Sequence, residues 1–248
     1  FISGLLTLTP FHHWKWEHSI HHASTGDLSR RGVGDIWTLT VKEYLESTRW
    51  RRFTYRLTRN PVILFLIAPL FLFFVLQRFV AKSAKPRERK SVHLMNLAIL
   101  IKSAVLISIF GFFPWFIIQL IMMTVAGTCG VWLFYVQHQF EGTHWSQSDD
   151  WTFQHAALHG SSHYDLPAVL RWFSGNIGIH HVHHLCSKVP FYRLPEILRD
   201  HPELGGIGRI TLWESFSCVK LALWDEAQNR LVSFREARAA NAAQAAAA

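Results

Sequence analysis

Residues 94–137 read LMNLAILIKSAVLISIFGFFPWFIIQLIMMTVAGTCGVWLFYVQ, and this stretch decides the class of fold. It carries one charge, Lys102, and is interrupted only near Gly111 and Pro114. About 20 apolar residues cross a bilayer's hydrocarbon core. The stretch therefore holds two spans, near 94–112 and 115–137, joined by an uncharged turn. Upstream, residues 61–80 (PVILFLIAPLFLFFVLQRFV) are also apolar, but Pro61 and Pro69 point to an interrupted or re-entrant segment. The loops at 49–59 and 81–90 are strongly basic, which places both on the cytoplasmic side of a membrane. Residues 61–80 then enter and leave by one face. The expected fold is all-α: an integral membrane helical hairpin with a helical cytoplasmic cap. Residues 225–248 read as a solvated helix fraying into an Ala-rich tail.

Composition narrows the function. Half of the 248 residues are hydrophobic and 17% are charged, which excludes a disordered or fibrous chain. Three Cys without a CxxC pair exclude a disulfide scaffold and a cysteine zinc site. The net charge of +8 flanks apolar runs, so it reads as membrane topology and not as a nucleic-acid surface. No secretory signal pattern opens the chain, which begins Phe1-Ile2-Ser3-Gly4 and reads as starting within a longer protein.

Sixteen His are the outstanding feature, and they cluster. Two H-x-x-H-H patterns occur, His18/His21/His22 and His180/His183/His184. At this content random placement yields roughly 0.07 such patterns per chain. On a helix, positions i, i+3 and i+4 share a face, so each pattern aims three imidazoles one way. Imidazole suits Fe, Zn and Cu. Both clusters must share one side of the membrane to build one site, which an even number of crossings between them satisfies. His138 closes the second span. His155, His159 and His163 are spaced i, i+4, i+8 and read as a solvated or partner-facing edge before a second metal site. His13 and His18 are five apart, a coincidental spacing. His93, His144 and His201 fit no pattern.

Several blocks resemble the membrane fatty acid desaturases. They are TLTPFHHWKWEHSIHHASTGDLSRRGVGDIWTLTVKEY from residue 7, then VWLFYVQHQFE, GNIGIHHVHHL and TLWESFSCVKLALWDE, in order. The likeness is to the bacterial acyl-lipid omega-6 (Delta-12) type. It covers residues 1–233 as one domain and leaves 234–248 as a tail. The resemblance implies two Fe ions held by eight or nine His, with O2 as co-substrate and a lipid acyl chain as substrate. It also implies electrons from a ferredoxin or similar donor. It assigns metal ligation to His18, His21, His22, His138, His180, His183 and His184, with no catalytic residue beyond them. Asp35, Glu141, Asn176 and His181 lie near the boxes and are candidates to support the ligands.

The family's first histidine box would lie before Phe1, so the chain is read as lacking it and is expected to be inactive alone. His144, His159 and His163 stand where the family carries an aromatic, a carboxylate and an aromatic. The basic segments 30–59 and 81–90 suit an acidic electron donor or anionic headgroups. Expected localisation is the bacterial inner membrane, with the metal site at the cytoplasmic face. A hydroxylase or ketolase on the same scaffold is the first alternative. A non-enzymatic His-rich metal-binding membrane protein is the second, and His lying outside the spans counts against a transporter.

Overall fold

A computed structural model describes residues 1–247. The chain runs α1 (Ile2–Leu6), α2 (Phe11–Ser24), β1 (Leu39–Thr40), α3 (Val41–Glu46), α4 (Arg49–Thr58), α5 (Ala68–Phe74), α6 (Pro86–Phe110) and α7 (Phe112–His138). It continues α8 (Phe153–His159), β2 (His163–Asp165), α9 (Ala168–Phe173), α10 (His180–Leu185) and α11 (Leu194–Asp200). Last come β3 (Arg209–Thr211), α12 (Leu212–Ser215), β4 (Leu223–Asp225), β5 (Arg230–Val232) and α13 (Phe234–Ala247). Two compact units form, one from 1–20 with 56–132 and one from 21–55 with 133–248. Their boundaries fall inside α2, α4 and α7.

The first unit is built on the α6–α7 hairpin. Both helices are long and apolar enough to span a membrane, with a mean hydropathy of 1.9 over the best window of each. Leu97, Leu100, Ile101, Val105, Ile117, Ile118, Ile121 and Val125 lie exposed along them. An apolar surface of that extent faces lipid and not water. Gly111, at φ +82°, supplies the left-handed turn between the helices. Lys102 is paired within the first unit, where its Nζ donates to Gln119 Oε1 of α7 at 3.1 Å and to the Leu5 carbonyl of α1 at 3.3 Å.

Residues 61–80 pack on this hairpin as a broken segment. A π-helical turn at Ile63–Ile67 leads into α5, and the segment is bent by 63° from α4. The break falls at Asn60–Pro61, where the Asn60 carboxamide accepts the Val62 N–H at 3.0 Å. The Thr128 hydroxyl of α7 donates to the Phe65 carbonyl at 2.6 Å. Arg78 and Asn96 of α6 exchange two hydrogen bonds, 2.9 and 2.8 Å. His13 is committed here, since its Nε2 accepts the Ala81 N–H at 3.2 Å.

The second unit is helical with two small sheets, one ordered β1-β4-β5 and one pairing β2 with β3. β1 runs parallel to β4 and antiparallel β5 returns beside it. Leu39, Tyr44, Tyr55, Leu223, Val232 and Ala237 form a core there. Residues 225–232 are not the start of a solvated helix. Asp225 accepts the Ala227 and Gln228 N–H groups, Asn229 takes a positive φ, and β5 buries Leu231 and Val232 completely. Apolar burial on β4 outcompetes helix propensity over this short span. Helix resumes at α13, which Ser233 and Glu236 open with reciprocal side-chain bonds.

Tyr55 ties this unit together. Its buried hydroxyl accepts the Leu39 N–H at 3.1 Å and donates to the Ala222 carbonyl. Tyr55→Phe strands both groups in a dry interior and is expected to cost about 1–3 kcal/mol. A thermal melt in detergent reads this as a lower Tm. An unchanged Tm would refute the role.

Candidate metal centre

Three segments of the second unit deliver imidazoles to one place. The C-terminal turn of α2 carries His21 and His22, the last residue of α7 is His138, and α10 carries His180, His183 and His184. α10 needs a tight entry, which GNIG provides. Asn176 sits at φ +55° and its carbonyl accepts the Ile179 N–H. A Cβ on Gly178 would lie 2.3 Å from the Tyr164 carbonyl oxygen, so no side chain fits between α10 and β2. The first two N–H groups of α10 both reach the Ser162 carbonyl, at 3.2 and 3.3 Å. Ser162 also donates its N–H to the Gln137 carbonyl at 2.9 Å. One short strip, residues 160–164, thus fixes the end of α7 against the start of α10.

His21, His138, His180 and His184 are buried, and their ligand atoms all lie within 4.8 Å of one another. The His138 Nε2 is 3.2 Å from that of His21 and 3.0 Å from that of His180. The Nε2 atoms of His180 and His184 are 3.1 Å apart. Beside them His22 stacks on His184 at a centroid distance of 4.1 Å and meets His183 edge-on at 4.6 Å. His18 lies one turn earlier on α2, half-buried and stacked on Trp14.

The tautomers can be read from the outer nitrogens. The Asp35 carboxylate is 2.6 Å from His21 Nδ1, and the Gly160 carbonyl is 3.1 Å from His138 Nδ1. Each acceptor requires the proton on Nδ1, which leaves a bare lone pair on each Nε2. Two lone pairs then face each other at 3.2 Å. A proton between them is disfavoured, because burial lowers His21 to about 4, helped by nearby His183. Burial and neighbouring imidazoles hold His180 and His184 well below the usual value. Asp35 is raised to about 6 by burial, against the pull of the Gly32 N–H and His138, so it remains ionised at pH 7. What satisfies neutral, converging imidazole nitrogens is a metal cation.

The sequence as a whole answers to one known family. Residues 1–215 match the family description "Fatty acid desaturase". The chain belongs to the fatty acid desaturase family. Its place is therefore among oxidoreductases. It is 44% identical over 235 residues to "Fatty acid desaturase" of Bacillus subtilis, covering 95% of this chain and 67% of that protein. It is 25% identical over 197 residues to a Synechocystis "sn-1 oleoyl-lipid 12-desaturase", covering 75% and 52%. A Synechocystis "sn-1 acyl-lipid omega-3 desaturase (ferredoxin)" is 26% identical over 227 residues, covering 84% and 60%. The chain thus spans between about half and two thirds of these relatives.

Around this candidate centre the four supporting candidates part company. Asp35 holds His21. His181 faces the other way, with its Nε2 at 3.0 Å from the Leu204 carbonyl and its ring near His163. Asn176 shapes the turn before α10 through its backbone. Glu141 is exposed and hydrogen-bonds none of the seven His among the described residues. The Gly160 carbonyl and the Ser162 strip were not anticipated. Backbone acceptors leave no side-chain signature, although G-S-S is the small-residue run such a close approach requires.

The titrations fix a pH dependence. His21, His180, His181 and His184 have folded values below the ordinary 6.5, with His181 also near 4. The unfolded chain therefore binds more protons between those values. Stability of the chelator-treated protein is full above 6.5 and is lost as pH falls toward the folded values. Asp35, raised from 3.8 to about 6, and Glu17, also raised, act oppositely, but His144, His159 and His183 are lowered like the four and add to their effect. Melting between pH 7.5 and 5 is expected to show a falling Tm. A flat or rising Tm would refute this balance.

Proposed function

We propose that this chain carries the metal centre of an O2-dependent, di-iron desaturase that introduces a double bond into a lipid acyl chain. The observation that carries the reading is the convergence of four buried imidazoles, two of which, His21 and His138, are held in tautomers that leave lone pairs facing inward. His18, His21, His22, His138, His180, His183 and His184 are the proposed ligands. The all-nitrogen donor set fits iron. Iron with O2 supplies an oxidant able to break an unactivated C–H bond, which no side chain can do. The overall change is –CH2–CH2– plus O2, two electrons and two protons, giving –CH=CH– and two waters.

The chain's own groups do the positioning. Asp35 holds the His21 proton on Nδ1, and Gly160 does the same for His138. Phe134 lays its ring 5.2 Å from that of His21 and 5.1 Å from that of His138 and packs against both. The Synechocystis relatives, an oleoyl-lipid 12-desaturase and a ferredoxin-dependent acyl-lipid omega-3 desaturase, support a lipid-borne acyl substrate and an electron donor of the ferredoxin kind. Arg30, Arg49, Arg51 and Arg52 suit an acidic donor surface or anionic headgroups. The proposed setting is the bacterial inner membrane, with the centre on the cytoplasmic face where the basic loops lie. Seven imidazoles fall short of the family's eight or nine, so the 248-residue chain alone is proposed to hold iron weakly and not to turn over.

The test is lipid analysis. The complete reading frame that encodes this chain is expressed in a host with a monounsaturated lipid pool, beside His183→Ala and Asp35→Asn. Gas chromatography with mass spectrometry is expected to show a new diene, absent with His183→Ala. Asp35→Asn is expected to lower it 10–100-fold, as loss of a group supporting a ligand does. A hydroxylated product would replace desaturase with hydroxylase. An unchanged profile together with zinc and no iron in the protein would refute an iron enzyme.

A further inference from the structure

α4 reads RWRRFTYRLT over Arg49–Thr58 and sorts its side chains around the helix. Trp50, Phe53 and Leu57 are spaced i, i+3 and i+7, so they form one narrow apolar stripe. All three are exposed, Trp50 by 71% and Phe53 by 54%, and the rings of those two lie 5.5 Å apart. Arg49 lies roughly 75° to one side of the stripe, with Arg51 and Arg52 roughly 130° to either side. The opposite face is occupied. Tyr55, roughly 170° around the helix from the stripe, is the buried residue whose hydroxyl holds Leu39 and Ala222. The stripe therefore faces away from the core that Tyr55 joins.

The charges on α4 lack counter-ions. Among the described residues no carboxylate pairs with Arg49, Arg51 or Arg52, whereas Arg30 and Arg31 each have one. Unpaired guanidinium groups above an apolar aromatic stripe fit a surface that is anionic outside and apolar beneath, the headgroup layer of a bilayer. The chain brings that surface with it. α6 and α7 are long and apolar enough to span a membrane, and α4 runs into the apolar residues 61–78 across the break at Asn60–Pro61. An acidic redox protein would also answer the arginines. It docks transiently, however, and would leave Trp50 and Phe53 in water between encounters, while a spanning chain is never without its bilayer.

We infer that α4 is an interfacial helix: Trp50, Phe53 and Leu57 sink into the acyl boundary of one leaflet, and Arg49, Arg51 and Arg52 bind its anionic phospholipid headgroups. The long arginine side chains reach the phosphates while the helix body lies lower. Through Tyr55 the same helix moors the β1-β4-β5 sheet at the headgroup layer. The inference rests on the membrane spans and not on the desaturase reading, because α4 carries none of the seven proposed iron ligands.

The experiment is spin labelling of the full chain reconstituted into vesicles, in a background of Cys129→Ala and Cys186→Ala, the two exposed cysteines. One label is placed with Phe53→Cys, an exposed position, and a second with Glu226→Cys, in the exposed turn between β4 and β5. Collision with oxygen, which concentrates in the bilayer, is compared with collision with a water-soluble nickel chelate. In vesicles containing phosphatidylglycerol, residue 53 is expected to favour oxygen, at a depth of about 5–10 Å, while residue 226 favours nickel. Replacing Arg49, Arg51 and Arg52 by Gln, or the lipid by phosphatidylcholine alone, is expected to make residue 53 shallower. A label at residue 53 that favours nickel in the anionic vesicles would overturn the inference. So would a label shielded from both reagents, the sign of a protein over the stripe. Equal depth in both lipids, with and without the three arginines, would overturn the headgroup contact.

Discussion

Two imidazole nitrogens whose lone pairs face each other in a dry interior, those of His21 and His138, are an arrangement that the two neutral rings cannot satisfy between themselves. Asp35 and the Gly160 carbonyl claim the protons of His21 and His138 on the far side of each ring. What remains is lone pair against lone pair at close to 3 Å. Burial forbids relief by protonation, so the geometry holds a positive charge or pays for its absence in stability. The helices, the strip and the sheets of the second unit hold these rings in that relation.

The strip at 160–164 shows how economically this is done. Its Gly160 carbonyl orients one imidazole, and its Ser162 carbonyl caps the helix that bears three more. Its last residues pair as β2 with β3, and the Tyr164 hydroxyl meets that of Ser215 at 3.0 Å. Five residues therefore link α7, α10 and the chain beyond residue 209. The same strip begins at the end of α8.

What was legible in the sequence followed from periodicity and residue type. Forty apolar residues with one charge specify a hairpin of spans, and H-x-x-H-H specifies a face of imidazoles. What was not legible depended on orientation. Glu141 and Asn176 lie close to the boxes in sequence, yet neither side chain supports a proposed ligand, because chain proximity does not set direction. His163 fell on an apparent helical stripe that Gly160 ends. The strands β1 to β5 are two or three residues long, too short for a period-2 pattern, and they exist because tertiary partners bury them.

The second unit is discontinuous in the chain. Residues 21–55 cannot complete it until 133–248 arrive, because β1 pairs with β4 and His21 meets His138, His180 and His184. At about 5–20 residues per second, synthesis separates His22 from His184 by roughly ten to thirty seconds. Throughout that interval the first three imidazoles of the boxes are exposed on an unfinished chain. The hairpin of spans intervenes, so it is made and available for membrane insertion first. Assembly of the centre is therefore a late event of biogenesis, governed by long-range closure and by which metals the nascent chain meets while it waits.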